Sequence, residues 1–130
     1  MDRVKYALEK REQGYNCAQA VLCAFHDATE FTEDELFKII EAFGGGMGGT
    51  QGVCGAVSAM VALAGILKSS GIDKLPASNK AVSYSTAADL MREFEEKNNT
   101  IICSRLKNEG HRSCAGCVED AVRIAEEMLL

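Results

Sequence analysis

Six cysteines, at positions 17, 23, 54, 103, 114 and 117, are the residues of this chain best suited to chemistry. A thiolate attacks disulfides and binds soft metals, and both uses depend on lowering a pKa that is about 8.5 in free cysteine. Cys114-Ala115-Gly116-Cys117 is a C-x-x-C. At a helix start such a pair offers an attacking first sulfur and a second, one turn on, that resolves the mixed disulfide. Val118 stands where a c-type haem attachment motif requires histidine, and no second C-x-x-C completes a zinc site of two such pairs.

The elements that must position these thiols read as helices, because apolar residues recur at helical spacing and strand-like alternation is nearly absent. A first helix, about Asp2 to Gln13, stops at Gly14. Asn16 caps a second, Cys17 to about His26, and Thr32-Glu33-Asp34-Glu35 is a capping box that opens a third running to Phe43 with Leu36, Phe37, Ile39 and Ile40 inward. Val53 to Leu67 is apolar nearly all round, as a buried central helix must be. A longer amphipathic helix, roughly Ala77 to Lys97, carries Ala81, Tyr84, Ala88 and Met91 on one face. A short helix follows Thr100, and a last one follows Ser113 with Val118, Ala121, Val122, Ala125 and Met128 inward. The expected fold is an all-α, single-domain bundle of about six helices around a central apolar helix, spanning residues 1–130.

Against these helix starts the cysteines form a pattern: Cys17, Cys54, Cys103 and Cys114 each fall in a first turn. Unpaired amides and the positive end of the helix dipole favour a thiolate there. Cys23 lies six residues after Cys17, about 120° round the helix, and reads as a packed core thiol. A bundle that gathers these helix starts at one end brings Cys17, Cys54, Cys103 and at least one of Cys114 and Cys117 to one site. Four bare thiolates cannot coexist there, since two charges 4 Å apart cost about 4 kcal/mol at an effective dielectric of 20. Protonation, disulfide formation or a bound metal must relieve the repulsion.

Other features are plainer. The loop from Gly44 to Gly52 has six glycines in nine positions, lacks a Gly-Lys-Ser/Thr ending, and reads as backbone that must pass close to Cys54 and its neighbours. His111 and Arg112 stand near enough in sequence to favour a Cys114 thiolate, with a solvated loop pair as the alternative. His26 reads as a helix C-terminal contact and Met47 as a loop anchor. The acidic runs Glu93 to Glu96 and Glu119 to Glu127 read as solvated faces.

Composition sets outer bounds. Of the 130 residues 47% are hydrophobic and 25% charged, which fits a chain with a real core rather than a disordered one. A net charge of −5 disfavours nucleic acid. The Val53 to Leu67 run is too short to span a bilayer, and Met1-Asp2-Arg3-Val4-Lys5 does not open a signal peptide. A cytoplasmic location is expected, where cysteines are reactive thiols or metal ligands rather than structural disulfides.

Asn16-Cys17-Ala18-Gln19-Ala20-Val21, the Gly44 to Gly49 loop, Cys54-Gly55-Ala56-Val57-Ser58-Ala59, Cys103, and Cys114 four residues before Val118 together resemble the redox-active C_GCAxxG_C_C proteins, short bacterial and archaeal chains with four characteristic cysteines. The resemblance covers nearly the whole chain. Ala59 departs from the family's glycine, and Cys117 is an addition to its four cysteines. The resemblance implies redox activity and brings no substrate with it. Two readings follow. In the first, Cys17, Cys54, Cys103, Cys114 and Cys117 serve thiol–disulfide exchange with a redox partner protein, Cys114 attacking and Cys117 resolving. In the second, Cys17, Cys54, Cys103 and Cys114 hold an iron–sulfur cluster or another metal for electron transfer. A homo-oligomer is compatible with either.

Overall fold

Helix starts are set by side chains that take up free backbone amides. In the computed structural model, which describes all residues from Met1 to Leu130, Asp2 caps α1 (Arg3–Glu12) by accepting from the Lys5 amide at 3.1 Å. Asn16 opens α2 (Cys17–Cys23) and Thr32 opens α3 (Glu33–Ile40), each in a reciprocal capping box with Gln19 and Glu35 respectively. Ser113 opens α8 (Cys114–Leu129) by accepting from the Gly116 amide at 3.0 Å. Between lie a single turn, α4 (Gly44–Met47), and α5 (Gly55–Lys68), α6 (Lys80–Asn98) and α7 (Cys103–Asn108). The chain is 72% helical and all-α.

Helix α5 is central, packing against α2, α6 and α8, while α1 lies across α2 and α8. It is not the most completely buried helix: all seven residues of α2 are buried, but only eight of the fourteen in α5. The reason lies in α6, whose buried residues, Leu90, Phe94 and Asn98, all fall in its C-terminal half. The expected α6 face is therefore corrected, since Tyr84 is 68% exposed and the helix seats itself on the Leu90–Phe94–Asn98 stripe. Two further inward assignments change. Ile39 is 52% exposed because α3 ends at Ile40 and a 3₁₀ turn, Glu41–Phe43, redirects the chain, and Met128 yields its inward place to Leu129.

Two segments that meet far from each other in sequence fix the end of the bundle where α5 and α7 begin. Val53 and Ile102 form an isolated antiparallel bridge, with the Cys54 amide donating to the Ile101 carbonyl at 2.7 Å and the Cys103 amide to the Gly52 carbonyl at 2.8 Å. This two-bond clip sets Cys54 and Cys103 side by side. The glycine loop closes over them. Gly46 adopts φ 72°, and a Cβ there would stand 2.7 Å from the Cys103 Cβ, so only glycine can take that backbone path so near the cysteine. No helix is long and apolar enough to cross a membrane.

Candidate functional site

All five cysteines other than Cys23 line one cavity of about 410 Å³. Each comes from a helix start: Cys17, Cys103 and Cys114 are the first residues of α2, α7 and α8, Cys54 is the N-cap of α5, and Cys117 lies one turn into α8. Cys17, Cys54, Cys103 and Cys117 are buried, and Cys114 is partly open to solvent. Gly55 explains why a glycine must follow Cys54: a Cβ at that position would lie 2.6 Å from the Cys17 Sγ and 3.0 Å from the Phe43 carbonyl oxygen. The missing side chain is what allows α2 to bring its first sulfur against the start of α5.

Within the cavity the thiols associate two by two. The Cys114 thiol is held down to about 5, chiefly by its interaction with the Cys17 thiol. Burial opposes that shift, while Arg11, together with the charge of Lys107, reinforces it. In return Cys17 is pushed well above the ordinary thiol range, first by its interaction with Cys114 and then by burial, although the Gly45 amide pulls the other way. Cys54 is lowered to about 7, chiefly by its interaction with Cys117, against the effect of burial and with help from the Val57 and Ala56 amides at the start of α5. Cys117 is raised, by that interaction first, then by burial and by the charge of Cys54. Each pair thus keeps one proton, which relieves the repulsion that four thiolates would suffer.

Two expectations change here. A first-turn position does not by itself make a thiolate: Cys17 occupies one and is held protonated, because its partner Cys114 has the cations beside it. Cys117, expected to act with Cys114 across the C-x-x-C, has its strongest interaction with Cys54. Cys103 lines the same cavity, its amide tied to Gly52. Cys23 stands apart, fully buried at the other end of α2, with its Sγ 3.7 Å from the Glu33 carbonyl oxygen, and burial pushes it up to about 11. No group of three or more His, Cys, Asp or Glu side chains is arranged to hold one metal ion.

The cations at the site were only partly legible. Arg112 reaches the cavity, but its guanidinium is engaged by Asp120 through bonds of 2.9 and 3.2 Å. Asp120 itself is 1% exposed and also meets Lys97 at 3.2 Å, which corrects the view of Glu119 to Glu127 as a wholly solvated face. Burial pushes that carboxyl up, yet its bonds to Arg112, Lys97 and Asn98 outweigh burial and hold it below the usual range. His111 turns away to Glu109 at 2.9 Å. Arg11, which lines the cavity with Cys114 and lowers its thiol, carries no signal in the sequence. It lies six residues before Cys17 in the last turn of α1, and only the packing of α1 on α8 brings it to the site. His26, as expected, makes a contact at the end of α2, Nδ1 lying 2.8 Å from the Cys23 carbonyl oxygen.

No curated protein and no solved structure matches this chain. A family model described as "Putative redox-active protein (C_GCAxxG_C_C)" matches residues 15–128, a span that takes in every cysteine of the cavity, and the chain belongs to that family.

Proposed function

We propose that the chain performs thiol–disulfide exchange, with Cys114 as the attacking sulfur and Cys17 as the resolving one. The observation that carries this reading is the position of Cys114, the one cysteine of the cavity that is not buried, with Arg11, Lys107 and Cys17 lining the same cavity, surroundings that lower its thiol to about 5. The Cys114 thiolate attacks one sulfur of a disulfide R–S–S–R. A Cys114–S–S–R bond forms, the substrate bond breaks, and RS⁻ leaves. Cys17 then attacks the Cys114 sulfur and its proton passes to a departing thiolate, giving a Cys17–Cys114 disulfide, RS⁻ and RSH. The protein pair is oxidised by two electrons and the substrate is reduced. A reducing thiol drives the same steps backwards. Cys54 and Cys117 form a second, buried pair placed to exchange with the first.

The second reading is a metal or iron–sulfur module, favoured by one observation, the convergence of five thiols on one cavity. The lack of a group arranged for a single ion weighs against it. One preparation distinguishes the two. Protein purified without oxygen is analysed for iron and sulfide, then mixed with a disulfide while free thiols are counted. Exchange predicts a colourless protein that loses two thiols per disulfide consumed. Stoichiometric iron and sulfide, with no thiol loss, would overturn it.

A further inference from the structure

The cavity is electrically unlike the rest of the molecule. The chain carries a net charge of −5, yet no aspartate or glutamate lines the cavity, while Arg11, Lys107 and Arg112 do. Arg112 is neutralised by the buried Asp120. Arg11 and Lys107 make no ion pair with any carboxylate of the chain, so their charges remain available at the mouth beside Cys114. In the reduced protein the Cys114 thiolate balances one of them. That balance disappears on reaction, because a sulfur in a disulfide is neutral. Two cations at the cavity mouth then face the bound half of the substrate, and the only sulfur left in the cavity with a lowered pKa is the buried Cys54.

Size and access narrow the class further. A cavity of about 410 Å³ lies within the ~300–1,000 Å³ range of small-molecule sites. Cys114, the one sulfur of the five that is not buried, lies within this cavity rather than on an open face, so a small disulfide reaches it more readily than one held on a folded protein surface. Resting on the exchange reading above, we infer that the substrate is a small anionic disulfide, one that carries a carboxylate or similar negative group on each half. Arg11 and Lys107 hold that group while the sulfur nearest Cys114 is attacked, and in the mixed disulfide the anion on the bound half takes the place, beside these two cations, of the thiolate charge lost on reaction. These two residues are specificity determinants, and Arg11 also positions the thiolate.

Three small aliphatic disulfides of similar size test this: dithiodiglycolate (−2), hydroxyethyl disulfide (0) and cystamine (+2). Each rate constant with the reduced protein at pH 7 is divided by the rate constant of the same disulfide with free mercaptoethanol thiolate, which removes differences in intrinsic reactivity. At low salt the normalised rates should fall in the order anionic, neutral, cationic, with about a tenfold or greater span, the lower end of electrostatic steering. The span should shrink toward unity at 1 M salt. Arg11→Gln raises the Cys114 pKa and slows every substrate, so the readout is the anionic-to-cationic ratio, which Lys107→Gln, at an exposed site, also lowers. Equal or inverted normalised rates in the unmodified protein, with two thiols lost per disulfide consumed, overturn the anionic class and leave exchange standing. No thiol loss in the unmodified protein and no mixed disulfide on Cys114 in Cys17→Ser, with any of the three, overturns both.

Discussion

Helix α2 carries two cysteines six positions apart in the same buried turn and a half, and they meet opposite fates. Cys23 sits in the core and is pushed up to about 11 by burial, which outweighs the opposing charge of Lys10. Cys17 is also pushed up, but chiefly by its interaction with another thiol, and the proton it keeps is what lowers Cys114 to about 5. Burial makes a thiol inert, while burial beside a second thiol divides two protons unequally and leaves one sulfur ready to attack. The cation that settles the direction of that division, Arg11, stands beside Cys114 and not beside Cys23.

The comparison breaks most completely at the attacking sulfur. Cys114→Ser should lower the exchange rate at pH 7 by at least ~100-fold, whereas Cys23→Ala should leave it within about twofold, since only a thiolate is nucleophilic. Thiol release in stopped flow measures both. The pH profile sharpens the contrast. Alkylation of Cys114 should rise with pH through a midpoint near 5, because the lowered pKa places its thiolate above that pH, and alkylation of Cys23 should rise only toward 11. A shared midpoint near 9 would erase the difference between the two ends of α2.

Removing the proton donor should have the next largest effect. In Cys17→Ser the first attack proceeds but nothing resolves it, so a stable mixed disulfide accumulates on Cys114 and appears as a mass increase of one substrate half. In Cys17→Ala, which removes that neighbouring donor altogether, the Cys114 midpoint moves upward. A smaller effect is expected at Gly55, where the added methyl of Gly55→Ala would lie 2.6 Å from the Cys17 Sγ. Overpacking of this kind costs about 1–3 kcal/mol, read as a lower midpoint of denaturant unfolding, and it should also raise the Cys114 midpoint by separating the pair. An unchanged Cys114 profile in a folded Gly55→Ala protein would mean that the two sulfurs do not depend on that contact.

What could be read from the chain divides along the range of the forces involved. Asn16, Thr32 and Ser113 are legible as helix starts because a cap acts over three residues, and each does cap. The cysteines at those starts are legible for the same reason. The outward faces of Ile39, Tyr84 and Met128 are not, because which side of a helix is covered depends on neighbours that local periodicity does not contain. Cys117 illustrates the same limit within one motif. Its spacing from Cys114 suggests a partner three residues away, yet its strongest interaction is with Cys54, sixty-three positions earlier, brought near by the packing of α5 on α8. Arg11 is invisible for a similar reason, as its place beside Cys114 depends on how α1 crosses α8.

The claim that the thiols work as Cys17 with Cys114 and Cys54 with Cys117 is tested most directly by mapping the first disulfide formed. The reduced protein is given one equivalent of a small disulfide, free thiols are capped at low pH, and the cysteine-bearing peptides are identified by mass spectrometry without reduction. The account predicts a Cys17–Cys114 link in the first product, with Cys54 and Cys117 joined only on further oxidation and Cys23 capped throughout. A Cys114–Cys117 link as the first and dominant product would contradict it.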